Sequence, residues 1–418
     1  MVLPLIIGFG LSLGCLIGAF HFLRRKRLVD DTPTSKTLGV FIGLAELKGT
    51  AESDAPLTSR LAETLCVLYT WHVDEHWSRT VTETYTDSKG THTRTRHESG
   101  WTTVAKGGQS IPFYLKDDAG IIRILPESAK VEDKEVFDKT VARVNPLYYA
   151  KGPATAIAHS DYRRRFVEHA LPLHAKFYVM GQARERQDIV AAEIAKDNKS
   201  PVFLISMRTE KQVSSGFAVG LWLFLTAGLL CSLGGAFAVN VNLNVIQPQL
   251  YAFAIIGYLL VLGLGWSWTV YNALVNLHLR VHQADGQIDI QMKRRADLIP
   301  NLVATVEGYA THEKSAQVLV TQLRGQIAHN GPLTPVGFTP ILKVALENYP
   351  DLKASDLFLK LQKELSETEQ RLALARDYYN DMATFYNTRL EIVPDTFLAR
   401  LMKLTSAALL TTTGFERA

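Results

Sequence analysis

Hydrophobic and polar positions follow three different patterns along this chain. Three stretches, Val2–Leu23, Phe217–Val239 and Leu250–Tyr271, contain no Asp, Glu, Lys or Arg. Each is close to the roughly 20 residues a helix needs to cross a bilayer. One charge at the centre of such a helix costs about 2.5–3.5 kcal/mol on insertion, so its absence from all three is a physical signal. Between the first and second stretches, from Leu38 to Lys211, the pattern changes to short runs of β character. Leu65–Val73 is aromatic and aliphatic, and Arg79–Thr86 and Thr91–Thr95 flank Ser88-Lys89-Gly90 as a hairpin. Ile111–Leu115 and Ile121–Leu125 flank a second turn, Asp117-Asp118-Ala119-Gly120. Lys176–Met180 and Val202–Ser206 read as extended, with a short helix at Gln187–Ala195 between them. This spacing predicts an antiparallel barrel or sandwich.

After the third stretch the period is helical. Apolar or small residues recur at Leu274, Leu277, Val281, Ala284, Ile288, Met292, Ile299, Leu302, Val306 and Tyr309, close to the 3.5 repeat of a coiled coil. The seam is interrupted at Arg294-Arg295, and Asp297 with Pro300 predicts a kink or restart before the helix runs on to about Ala328. His329–Phe338 reads as a loop and Thr339–Asn348 as a short helix ending at Tyr349-Pro350. Asp356–Val393 predicts a long helix with the seam Phe358, Leu361, Leu365, Thr368, Leu372, Ala375, Tyr379, Met382, Tyr386 and Val393. Pro394 breaks it, and Asp395 can cap a last helix, Thr396–Leu404.

The expected architecture is therefore membrane α+β. An anchor with a basic stop (1–27) leads to a β-rich domain (28–215) and a transmembrane hairpin (216–271). An antiparallel bundle of three to four helices (272–404), continuous with the last span, and a tail (405–418) follow. Beside the two seams run polar stripes: Arg294, Asp297, Asn301 and His312 on one helix, Glu369, Arg376, Asn380 and Asn387 on the other. They either meet as a hydrogen-bonded charge network that fixes register or stay as two solvated flanks.

Charge sets the topology. A secretory signal peptide carries its positive charge before the apolar run, whereas Arg24–Arg27 follows it. The first span then reads as an uncleaved anchor with its N-terminus outside. Arg208 and Lys211 precede the hairpin, and Arg280 and Lys293–Arg295 follow it. The Asn240–Gln249 connection carries no charge. By the positive-inside rule both soluble regions face the cytoplasm. A net charge of +4 is too small to imply nucleic acid as a partner. Basic residues near the spans can meet anionic lipid at about 1 kcal/mol each.

Candidate chemistry is sparse. Cys15 and Cys231 lie in predicted spans and Cys66 in a predicted strand, with no CxxC pair for a disulfide framework or zinc site. His312-Glu313 lacks the second His that a zinc-peptidase helix needs four residues on, since position 316 is Ala. Asp297, Glu307 and Glu313 have no positioned partner, and no catalytic triad or Gly-rich phosphate loop is visible. No cofactor, metal or catalytic residue is expected. His72 and His76 share a strand face near His92 and His97, as metal ligands or as solvated strand positions. VFIGLA (Val40–Ala45) echoes YVMGQA (Tyr178–Ala183), and IPFYL (Ile111–Leu115) echoes SPVFLI (Ser200–Ile205), through two related β lobes or chance recurrence.

Several motifs together resemble the LemA family of bacterial membrane proteins over about residues 266–404. They are YNALV with Tyr271 and Asn272, and RRADLIPNLV with Arg294, Arg295, Asp297, Pro300 and Asn301. VEGYATHEK follows with Tyr309, His312 and Glu313, then ENYPDLKAS with Pro350 and Leu352. ELSETEQRLALARDYYND with Glu369, Arg376, Tyr379 and Asn380, and YNTRLEIVP with Asn387, complete the order. The resemblance implies a bacterial membrane protein with a role in envelope organisation or stress; with the three spans, the expected location is the inner membrane, multi-pass. LemA chains commonly end in a short aromatic-Pro segment, whereas Thr405–Ala418 stands here.

A second resemblance covers about residues 39–211. Gly39…Gly43, Pro56-Leu57-Thr58-Ser59, Cys66–Trp71, Trp77, Trp101, Pro112-Phe113-x-Leu115-x-Asp117-Asp118-x-Gly120 and Pro126-x-x-Ala129 are similar to the GIDE domain. That domain is the membrane-flanked, non-RING part of a mitochondrial ubiquitin ligase. Ligase activity needs a zinc-binding RING, and the Cys and His spacing for one is missing. The leading expectation is a non-enzymatic, homo-oligomeric scaffold whose β domain binds a protein or peptide. A ligase-like adaptor of a conjugation or proteolysis system, with catalysis in trans, is the alternative. A channel component, with Asn240, Asn242 and Asn244 at an oligomeric mouth, is the third class.

Overall fold

The computed structural model describes residues 3–87, 90–186, 188, 191–197, 202–243, 247–310 and 356–410. It divides into two compact units, Val40–Thr209 and the combination of Met1–Gly39 with Glu210–Ala418.

Among the described residues, the regular structure of the first unit is all β apart from one helical turn, Leu147–Ala150. Its strands are β1 (Gly43–Glu52), β2 (Leu57–Thr58), β3 (Leu65–Asp87), β4 (Gly90–Ser110), β5 (Phe113–Lys116) and β6 (Ile121–Ile124), followed by β7 (Lys130–Glu132), β8 (Lys134–Ala142), β9 (Ser160–Pro172), β10 (Lys176–Glu185), β11 (Ala192–Ala195) and β12 (Leu204–Ser206). The pairings β1–β5–β6–β11–β10–β1 close a small barrel, and β12 pairs with β10 beside β11. Closure removes the open edges that a sheet of short strands would otherwise expose. Leu47, Phe113, Leu115, Ile122, Ile124, Val179 and Ile194 fill it. The two echo segments are direct neighbours, with Ala45 opposite Gly181 and Gly43 opposite Ala183. Where a short helix is expected at Gln187–Ala195, Ala192–Ala195 is a strand instead. Its two ladders satisfy the backbone that a helix would have to bond locally.

A five-stranded sheet, β2–β3–β9–β8 with β4 on β3, packs on the barrel through Val67, Leu68 and Leu171. The β3–β4 hairpin is longer than the sequence pattern implies, one strand of 23 residues against another of 21. β9 accompanies β3 only as far as Trp77. From Ser78 to Asp87, paired with Gly90–Ser99, the hairpin is a two-stranded ribbon. Ten residues of strand make that arm about 30 Å long.

The second unit is helical. α1 (Leu3–Asp30), α2 (Glu210–Leu243) and α3 (Pro248–Ala310) are each long and apolar enough to cross a membrane. α4 (Asp356–Glu391) and α5 (Asp395–Leu401) pack against α3. Glycines bring α1 and α2 together: a Cβ on Gly8 would sit 2.7 Å from Gly235 Cα, so neither position has room for a side chain. Tyr258 of α3 donates to the Leu225 carbonyl of α2 at 2.7 Å.

No break occurs at Asp297. α3 continues through Pro300, which is exposed, to Ala310. Proline removes one intrahelical bond there, and the solvent-facing carbonyl it frees can turn to water. Leu274, Leu277, Val281, Ala284, Ile288 and Ile299 are buried, as are Leu365, Thr368, Leu372, Ala375, Tyr379, Met382 and Tyr386. Val393 departs from this seam and is 67% exposed. The expected loop, short helix and motif residues between 311 and 355 lie outside the described residues.

Candidate functional site

A cluster of buried and half-buried charges lies where α1, α3, α4 and α5 converge. Arg27, in the last turn of α1, donates Nη1 and Nη2 to the two carboxylate oxygens of Asp395, both at 3.0 Å. This is the two-pronged geometry that suits guanidinium and carboxylate best. One turn on, Asp31 Oδ1 accepts Nε and Nη2 of Arg389 from α4 at 2.9 and 2.7 Å. Arg389 also reaches Asp395 at 3.8 Å. Asp31 and Asp395 are buried. Two cations and two anions thus alternate in a neutral cluster, the arrangement that buried charge requires.

Neighbouring polar groups extend it. Arg280 Nη1 of α3 donates to Thr32 Oγ1 at 2.8 Å, and Ser214 of α2 donates to Asp30 Oδ1 at 2.6 Å. Burial pushes the Asp31 carboxyl above its ordinary range, against the opposing pull of Arg389 and Arg27. Burial lowers the Arg280 guanidinium, with Tyr378 and Asp31 pulling the other way. Burial would also lower Arg389, but Asp31 and Asp395 outweigh it and raise the group. The cluster can hold the ends of the apolar helices to the bundle; both oxygens of Asp395 and Oδ1 of Asp31 are committed to guanidinium donors.

Two expectations need correction. Arg27 is not a lipid-facing member of the basic stop but an internal ion-pair partner. Asp395 is not an N-cap: Pro394 holds that position without a side-chain cap bond, and Asp395 sits in the first turn facing Arg27. Aspartate suits a helix N-terminus on either account, so local pattern could not separate the two.

The polar stripes also differ from expectation. Arg295, not Arg294, turns inward and approaches Glu369 at 3.9 Å, filling the gap in the seam with its own buried side chain. Arg294, Asp297 and Asn301 are exposed, and Arg376 is half-buried. Asn380 and Asn387 instead bind the backbone of the segment after α5. Asn387 donates to the Ala407 carbonyl and accepts its N–H, both at 2.8 Å. Asn380 makes the same pair with Leu410 at 3.1 and 2.8 Å, and Tyr379 donates to the Ala408 carbonyl at 2.8 Å. Seven helical residues rise about 10.5 Å. Three extended residues cover about 10 Å. The two asparagines thus act as a fixed pair of strand-like partners for residues 405–410. Asn272 donates to the Trp268 carbonyl of its own helix at 2.9 Å, and Tyr271 is exposed. The side chain of Tyr309, and all of His312, Glu313, Pro350 and Leu352, lie outside what is described.

In the β unit the motif residues are turn and core positions. Asp117 Oδ1 accepts the N–H groups of Ala119 and Gly120, closing the β5–β6 turn, with Asp118 exposed beside it. Phe113 and Pro126 are buried, whereas Pro112 is exposed and Pro56 half-buried. Trp71 carries the Arg60 guanidinium 4.2 Å from its ring centroid. Three of the buried charges there had no sequence signal. Arg164, fully buried, pairs with Glu75 at 3.0 Å, donates to the Tyr148, Pro153 and Thr155 carbonyls, and lies over the Tyr148 ring. Glu168, also buried, accepts the backbone N–H groups of Arg60, Leu61 and Ala62. Burial and Glu168 together push the Cys66 thiol to about 11, which keeps it protonated and unreactive at neutral pH. The strand histidines pair locally: His72 with Asp74, His76 with Asp161, and His97 with Thr80. Among the described residues, no group of three or more His, Cys, Asp or Glu is placed to hold a metal ion.

Comparison with known proteins agrees with both resemblances. A LemA family model matches residues 284–418, and a GIDE model described as E3 ubiquitin ligase matches residues 82–239. The chain carries a LemA region and a GIDE region. Protein LemA of Metamycoplasma hominis is 25% identical over 170 residues, covering 38% of this chain and 78% of that protein. No solved structure matches. The charged junction bridges α1, which precedes both matched regions, and the last helices of the LemA region, which supply Arg389 and Asp395.

Proposed function

We propose that this protein is a non-enzymatic scaffold of a bacterial inner membrane that self-associates and displays its GIDE unit as a binding module. The observation that carries this reading is the single helix Pro248–Ala310, which leaves its apolar stretch and becomes a bundle helix, with the bundle ion-paired to the first apolar helix. Such a coupling transmits position and register; it needs no substrate. In this reading three spans cross the bilayer, the N-terminus lies outside, and both units face the cytoplasm. The LemA resemblance supports a role in envelope organisation or stress. The β3–β4 ribbon supports the binding role. A two-stranded hairpin is marginal in water on its own. Its edges offer unpaired backbone groups to a protein or peptide that adds as a strand.

Two full-length copies bearing different affinity tags, co-expressed and extracted in mild detergent, test self-association. Recovery of both tags on one resin is expected; recovery of only the resin's own tag overturns it. The GIDE match favours one second reading, an adaptor of a conjugation system with catalysis in trans. Stoichiometric recovery of a ubiquitin-like protein or a protease in place of the second copy would favour that reading.

A further inference from the structure

We propose that α5, with Ile392 and Val393 before it, is a membrane-surface anchor whose outer face lies among phospholipid chains at the ends of the apolar helices. The inference rests on the reading that those helices cross a bilayer.

Two independent contacts set the level of α5. At its start, Asp395 is held by Arg27, just past the apolar run of α1. Farther along, Ala399 packs with Val270 and Leu274 of α3, flanked by Trp266, Leu398 and Leu404. Trp266 and Val270 belong to the last turn and a half of the apolar stretch that ends at Tyr271. α5 is therefore bracketed by the same end of two candidate spans. Trp268 and Tyr271, both exposed, mark that level with aromatics of the kind found at membrane–water boundaries.

The faces of α5 divide cleanly. Asp395, Thr396 and Ala399 are buried against the bundle. Phe397 and Leu401, one turn apart on the opposite face, are 65% and 79% exposed. Ile392 and Val393 add 44% and 67% exposure immediately before them. Arg400 and Lys403 on α5 and its C-terminal turn, and Arg24 at the end of the α1 apolar run, are exposed too. Their stems can follow the apolar surface while their charges reach phosphate. An apolar face with basic residues beside it is the composition of a helix lying in the interface plane. Leu264 and Trp268 of α3, on the side away from Trp266 and Val270, are 73% and 72% exposed at the same end of that apolar stretch. Water would leave this face uncompensated, and lipid at this level covers it without a further partner.

The test uses the full-length protein in phospholipid nanodiscs, with the photo-crosslinking residue p-benzoylphenylalanine placed singly at Phe397, Trp268 or Val144. These replace an α5 face residue, a span residue and a residue 96% exposed in the β unit. Irradiation and peptide mass spectrometry read the adducts. Mass shifts of one intact phospholipid at 268 and 397, and none at 144, are expected. An adduct at 268 without one at 397 overturns the surface anchor and leaves the spans standing. Adducts at neither position remove the spanning reading itself. A cross-link from 397 to a second copy of the chain also overturns the proposal and assigns the face to self-association.

Discussion

Replacing Asp395 by Asn is the sharpest perturbation of the charged junction. The substitution keeps the side-chain shape but presents one carboxamide NH2 to a guanidinium that now meets carboxylate oxygens at 3.0 Å on both prongs. Arg27 keeps its charge with its side chain 11% exposed, and the 3.8 Å contact from Arg389 weakens with it. Breaking a buried ion pair on one side costs about 3–5 kcal/mol, because the remaining charge is stranded. Arg389 keeps Asp31, and the tip of α4 can open to admit water, so the lower end applies. About 3 kcal/mol of local opening corresponds to roughly a hundredfold faster amide exchange at residues 384–401. Hydrogen–deuterium exchange of nanodisc-embedded protein reads this directly, with the β unit as internal reference. The double replacement Arg27→Met with Asp395→Leu removes both charges and should recover most of the protection. Exchange in Asp395→Asn within about threefold of the parent would refute this account of the junction. A double replacement as damaging as the single one would refute it too.

Other positions give independent outcomes. Arg164→Met strands the buried Glu75 carboxylate and leaves three carbonyls unpaired, so the β unit should lose about 3–5 kcal/mol in denaturant unfolding. Asn380→Asp with Asn387→Asp turns two donors into acceptors facing carbonyls. Limited proteolysis should then cleave within 405–410, while cleavage in the β unit stays unchanged. Burial alone would raise the Glu132 carboxyl, but hydrogen bonds from Lys130 and Ser206 outweigh it and hold the group below its ordinary 4.5. A depressed folded pKa contributes stability above the unfolded value and loses it as pH falls through the folded one. The parent should therefore lose more thermal stability than Glu132→Gln as pH drops below 4.5. Asp31 carries the opposite sign: its raised carboxyl makes its ionised form a cost that acid relieves.

Periodicity located the apolar helices because each needs only length and the absence of charge, and neither depends on a distant partner. The helical seams were legible for the same reason: Leu274 to Ile288 and Leu365 to Tyr386 face inward by spacing alone. The junction was not legible. Arg27 and Asp395 stand 368 residues apart, and each fits a local role, basic stop or helix N-terminus, equally well. Arg294 and Arg295 show the resolution limit of pattern: one residue is 100° of helix, enough to exchange an exposed charge for a buried one. Glu75, Arg164 and Glu168 look like ordinary strand charges. Their burial follows from pairings among β3, β9 and the 60–62 and 148–155 turns that no single segment encodes.

The mass of the intact full-length protein in nanodiscs, by mass photometry, tests the scaffold account most directly. That account predicts a closed, discrete oligomer whose mass is an integral multiple of the chain after lipid and belt protein are subtracted. A single chain per particle at every protein-to-lipid ratio would contradict it.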